Sequence, residues 1–127
     1  MLRSLSKQAD IADKREILHK IGVTGGDVQK RIANSVNDPT FLLAEVEIVA
    51  EFKLFDINRA KVENLLHRFF SAARLELKIS DRFGKPVQPR EWFLVPLPAI
   101  KVAIDCLMDK NLHQYQYDIN SASLVDL

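Results

Sequence analysis

The 127 residues predict a small α+β domain, a central antiparallel sheet of about three strands flanked by helices. Three observations carry this. From Glu45 to Phe55, apolar Val46, Ile48, Ala50, Phe52 and Leu54 alternate with Glu45, Glu47, Glu51 and Lys53, a period of two that reads as a half-buried strand. From Asn58 onward, Val62, Leu65, Leu66, Phe69, Phe70 and Ala73 recur at helical spacing and form one wide apolar face. The remaining apolar runs are short and bounded by Gly, Pro or charge, which suits brief antiparallel strands.

Taken in order, Leu2 and Leu5 are too few to define more than the tail end of a strand. Lys7–Glu16 is polar and reads as a loop or a short helical turn. Ile17–Val23 (ILHKIGV) is a candidate strand ended by Thr24-Gly25-Gly26, and a helix follows over Asp27–Val36. Asn37-Asp38-Pro39 stops it, because a residue before proline resists the α region. After the alternating strand, Asn58 is a good N-cap for the central helix, whose apolar face must cover the sheet. Leu75, Leu77 and Ile79 suggest another short strand, and Asp81–Lys85 a turn. Arg90–Val95 is a compact run with charge at its head. Pro98 opens a last helix to Lys110. Tyr115-Gln116-Tyr117 reads as a closing edge strand, and the final ten residues as a frayed end. One domain over residues 1–118 with a tail at 119–127 follows from this layout.

Composition excludes several classes. No apolar run is long enough to span a membrane, and MLRSLSKQAD lacks a signal peptide's hydrophobic region. A single cysteine, Cys106, excludes an intramolecular disulfide. It reads as a small buried hydrophobe, and a reducing, cytoplasmic setting is expected. The net charge of +1 is unevenly spread: residues 1–31 carry +3, 32–57 carry −4, 58–90 carry +5 and 91–127 carry −3. Two basic blocks sharing a face would suit a polyanion.

Chemistry concentrates on the central helix. Glu63 and His67, four residues apart, stand one above the other at the edge of the apolar stripe. Arg59, Lys61, Arg68 and Arg74 surround them. A lone acid in a basic setting suits a divalent cation held against a phosphate, while a solvated pair is the plainer alternative. The turn GVTGGD precedes a helix but lacks the Gly–Lys–Ser/Thr ending of a nucleotide P-loop. Arg31, with Lys30 beside it, lies one turn into that helix, where it can reach an anion.

The ordered set KIGVTGGDVQKRI, KVENLLHRFF and PREWFLVPL resembles the GIY-YIG endonuclease superfamily, in its bacterial and phage branch. The resemblance implies a GIY-YIG-like three-stranded sheet and hydrolysis of DNA phosphodiester bonds with one Mg²⁺ or Mn²⁺. It makes Glu63 the metal ligand and Arg31 the stabiliser of the attacked phosphate. Gly22 closes the second signature, and Glu91 and Trp92 become a structural element near the site. Lys20 stands where that signature has a tyrosine, and no tyrosine occurs before Tyr115, so His67 becomes a substitute base. Arg68, Arg74 and Lys30 are the expected nucleic-acid contacts. The alternative is a module of the same fold that binds nucleic acid without cutting it.

Overall fold

The computed structural model describes residues 1–7, 11, 13–23, 28–33, 35–38, 41–42, 45–50, 58–75, 79–80, 83, 86–87 and 90–127, with backbone alone at 28, 31, 37, 79–80 and 86–87. The turn at Thr24-Gly25-Gly26, residues 51–57 of the alternating stretch, and the Asp81–Lys85 turn apart from Phe83 lie outside these residues.

The chain folds as a mixed α+β domain around a four-stranded antiparallel sheet in the order β3-β1-β2-β6. Its strands are β1 (Leu2–Ser4), β2 (Leu18–Lys20), β3 (Val46–Ile48) and β6 (Trp92–Leu94). Leu2 to Ser4 is thus a strand in its own right, pairing Leu2 with Ile48 on one side and with Lys20 on the other. That is why the sheet has four strands rather than about three. A two-residue ladder joins β4 (Ile79–Ser80) to β5 (Pro86–Val87), and residues 76–78 of the strand expected over Leu75–Ile79 lie outside the described residues. Arg74 bridges to Phe93, and the Leu75 amide donates to the Trp92 carbonyl at 2.8 Å.

Among the described residues, three helices of five or more residues accompany the sheet. The short α1 (Val28–Ile32) is followed by a 3₁₀ turn at Ser35–Asn37, where a single helix to Val36 is expected. The central helix α2 (Arg59–Phe69) is capped by Asn58, whose side chain accepts from the Lys61 amide at 3.1 Å. That satisfies one of the orphan donors of the first turn. The last helix, α3 (Leu97–Met108), starts from Pro96 with Pro98 in its first turn, where a missing N–H costs nothing. It ends at Met108, and Lys110, with a φ of 61°, turns the chain back through the left-handed region.

The core forms two clusters. In one, Val62, Leu66 and Phe70 of the α2 segment pack with Ile21, Phe93 and the Ala99, Ile100, Ala103 and Ile104 face of α3. In the other, Ile11, Leu18, Leu42, Leu75 and Trp92 pack together. Neighbouring residues on a strand point to opposite faces, so Trp92 and Phe93 divide between the clusters. The alternation of residues 45–55 implies a sheet wet on one side. That describes the β3 edge, where Glu47 is exposed, but β6 is covered on both faces.

The wide apolar stripe of α2 also divides. Val62, Leu66 and Phe70 are buried, whereas Leu65 is exposed and Phe69 half-buried. The end of the chain is ordered. β7 (Tyr115–Asp118) and β8 (Ser123–Asp126) form a hairpin of their own, so Tyr115–Tyr117 does not close the main sheet and the last residues are not frayed. Tyr117 stacks edge-on against Phe70, and Leu124 packs on the first cluster, which holds the hairpin to the domain. Cys106 is only partly buried. Burial and the Asp109 and Asp105 carboxylates push its thiol up, away from the nucleophilic thiolate.

Candidate active site

Strand β2 carries HK between apolar neighbours, and the lysine is buried along with the rest of the strand. A buried ammonium needs a partner. Lys20 finds it at the head of β6, where its Nζ lies 2.6 Å from Oε2 of Glu91. The β2–β6 register pairs Lys20 with Trp92, so Glu91 is the neighbouring residue at the strand's start. The Phe41 ring lies 4.9 Å from Nζ and adds a cation–π contact.

Helix α2 brings in the second carboxylate. The Glu63 Oε2 accepts from the Val23 amide at 3.2 Å, and His67 Nε2 lies 2.6 Å from the Ile21 carbonyl, to which it donates. Residues i and i+4 of the helix therefore grip residues i and i+2 of the chain leaving β2. The two side chains are 4.0 Å apart at their nearest polar atoms. Glu63 lies close enough to Glu91 to bear on its ionisation. Burial pushes the Glu91 carboxyl up. The Lys20 hydrogen bond and charge, with help from Glu63 and His67, outweigh that and hold it below its ordinary value of 4.5. Glu91 is therefore an anion beside Lys20 at neutral pH.

Phe93 forms the floor. The His67 ring sits 5.1 Å from its centroid, and the Arg74 guanidinium carbon 5.3 Å from it. Gly22 is exposed, and a Cβ added there would come within 3.5 Å of Lys20 Nζ. The missing side chain lets the Gly22 backbone lie close over the ammonium, which stays buried, its side chain 3% exposed.

The expected site residues distribute as follows. Lys20, Glu63, His67, Glu91 and Gly22 come together. Trp92 is buried in the second core cluster behind the pair. Arg31 lies on α1 with only its backbone described, and Lys30 beside it is exposed. Arg74 is half-buried against Phe93, while Arg68 projects from α2 on the side away from Glu63. Part of the basic character of residues 1–31 is spent in local contacts: Arg3 pairs with Glu47 at 3.3 Å, and Arg15 donates to the Ser6 carbonyl. The sequence reading left Glu91 as a structural neighbour and missed its pairing with Lys20. The signal was a lysine inside an apolar strand, which demands an acid.

A family model, the T5orf172 domain, matches residues 5–108. The chain belongs to the T5orf172 domain family. This corrects the GIY-YIG resemblance, because the family that matches is a different one. The motifs behind that resemblance are short, and a strand, a helix with an acid and a second strand can be arranged alike in more than one nuclease-like family. The T5orf172 domain is a nuclease-like, DNA-binding family, so a nucleic-acid-related function holds for this chain. The uncharacterized protein YeeC of Bacillus subtilis (strain 168) is 38% identical over 105 residues, covering 83% of this chain and 27% of that protein. The chain thus spans about a quarter of that relative's length. No solved structure matches. Among the described residues, no helix of this T5orf172 domain is long and apolar enough to cross a membrane.

Proposed function

We propose that this T5orf172 domain is a metal-dependent DNA endonuclease that hydrolyses phosphodiester bonds, with Glu63 and Glu91 as its acidic centre. The observation that carries the reading is two neighbouring carboxylates, one of them held by a buried lysine. Such a donor set fits a hard divalent cation. Mg²⁺ takes oxygen ligands, keeps several waters and uses one or two carboxylates plus substrate phosphate. Among the described residues, no group of three or more His, Cys, Asp or Glu side chains gathers to cage a metal, so water and phosphate would complete the shell.

Glu63 and Glu91 would hold Mg²⁺ or Mn²⁺. When bound, the ion supplies positive charge to the phosphate and the departing oxygen. The residues do the rest. Lys20 fixes Glu91 and presents an ammonium beneath Gly22, where it can offset negative charge on the attacked phosphate. Arg31 serves the non-bridging oxygens. His67 donates to the Ile21 carbonyl and so orients Glu63 over the end of β2. With Nε2 engaged as a donor, His67 acts as a positioning residue rather than the base its sequence position suggests.

The test is nicking of supercoiled plasmid with Mg²⁺ or Mn²⁺. Glu63→Ala should abolish it while leaving duplex affinity within a few-fold. A second reading, binding without cutting, draws on one observation: Tyr115 and Tyr117 both lie on the hairpin strand β7, so no tyrosine hydroxyl is at the site to assist a water. Duplex binding with no cleavage under either metal would favour it.

A further inference from the structure

Helix α2 has a second working face. With about 3.6 residues per turn, Leu65, Arg68 and Phe69 lie away from Glu63 and His67. There they line a groove of about 510 Å³ between α2, the end of α3 and the C-terminal hairpin. That size falls within the roughly 300–1,000 Å³ of ordinary ligand sites. Its floor is mostly aliphatic, with Leu65, Leu107, Leu112 and Leu127 beside the half-buried Phe69 and Tyr115. Its rim is basic: Arg68, Lys110 and His113 are all exposed, and no side chain lining the groove is acidic. Lys110 is placed there by the left-handed turn that ends α3.

We infer that this groove docks an acidic segment of a partner protein, one that inserts apolar side chains onto the leucine floor while its carboxylates meet the Arg68–Lys110–His113 rim. Charge complementarity selects the sign of the partner. The floor selects its class. Leucine methyls accept aliphatic or aromatic side chains, whereas an unpaired nucleobase is held by open aromatic faces and hydrogen bonds. Phe69 already packs against Phe70 in a T-shaped contact with centroids 5.0 Å apart, and the second aromatic of the lining, Tyr115, is half-buried, so the open surface of the floor is mostly aliphatic. Because the groove and the carboxylate pair occupy different sides of α2, a docked segment and a nucleic acid can be held together. The groove thus provides a means of delivering the cutting site to a complex.

The experiment is selection of a random twelve-residue peptide display library on the 127-residue chain, followed by fluorescence anisotropy with the selected peptides. The expected result is enrichment of Asp and Glu interspersed with Leu, Ile or Phe. Affinity should fall at least tenfold in Leu65→Glu and in the Lys110→Glu, His113→Glu double variant, with unchanged circular dichroism and duplex binding. Replacing the peptide acids by lysine should cost at least as much. The inference is overturned if selected peptides are basic or without consensus, or if binding ignores both variants. It is equally overturned if a single-stranded oligonucleotide, rather than peptide, loses affinity in Leu65→Glu. Self-association of the chain that Leu65→Glu abolishes would assign the groove to a second copy and overturn it too.

Discussion

Lys20 Nζ on β2 and Glu91 Oε2 at the head of β6 lie 2.6 Å apart, with the lysine side chain 3% exposed and the glutamate 28%. The pair ties together the two strands that carry both core clusters, and it fixes the carboxylate that neighbours Glu63. Removing one partner strands the other. Glu91→Gln should destabilise the fold by roughly 2–4 kcal/mol, below the full cost of breaking a buried pair because the glutamate keeps some water. Chemical denaturation at pH 7 measures it. A double variant, Lys20→Met with Glu91→Gln, should recover part of the loss.

The same pair sets an acid limit. Glu91 titrates below its ordinary 4.5 in the folded protein, so the unfolded chain binds the proton first as pH falls. The pair's contribution is present above about pH 4.5 and is lost as pH drops through the folded value. In Glu91→Gln the stability curve should flatten across that window.

His19 defines a second window, at higher pH. It is fully buried, its Nδ1 donates to the Val95 carbonyl at 2.8 Å, and its Nε2 has no partner among the described residues. Burial lowers its pKa below 6.5 more than the backbone bonds raise it, and Arg3 adds repulsion. The unfolded chain therefore takes up a proton that the folded one refuses, and stability falls as pH drops below about 6.5. His19→Gln, which keeps a donor for Val95, should remove this slope below about pH 6.5.

Gly22 tests access to the Lys20–Glu91 pair. An added Cβ meets Nζ at 3.5 Å, an ordinary contact, so Gly22→Ala should fold with its melting temperature unchanged within a few degrees. Gly22→Leu should place a bulky side chain over the Lys20–Glu91 pair, block approach to Glu91 and reduce plasmid nicking at least tenfold. Equal nicking by both variants would mean that substrate does not approach the pair from this side.

Phe69 and Phe70 separate core from groove. Phe70→Ala should cost about 3–5 kcal/mol, because that ring is fully buried and leaves a cavity. Phe69→Ala should cost clearly less, since its ring is half-buried along the open groove. Paired denaturation curves decide it.

These contrasts show where the sequence was legible. Asn58, Pro98 and the helical spacing of Val62, Leu66 and Phe70 announce α2 and α3, because caps and periodicity are local properties. Glu63 and His67 were readable as a pair for the same reason. What was not readable depends on register between distant segments. The pairing of Lys20 with Glu91 joins residues 71 positions apart, and the division of the α2 stripe into core and groove depends on where the hairpin lands. Leu2–Ser4 was too short to show a strand until two neighbours paired with it. The family assignment failed on short motifs, since three ordered fragments do not distinguish one nuclease-like family from another.

The most direct test of the acidic centre is Mn²⁺ binding, followed by electron paramagnetic resonance with and without a short DNA duplex. The free chain should hold the ion weakly, and the duplex should tighten it by supplying phosphate oxygens. Glu63→Gln should remove the duplex-dependent binding while duplex affinity stays within a few-fold. If Glu63→Gln binds Mn²⁺ as the unaltered chain does, with DNA present, the carboxylate pair is not a metal site and the endonuclease reading is contradicted.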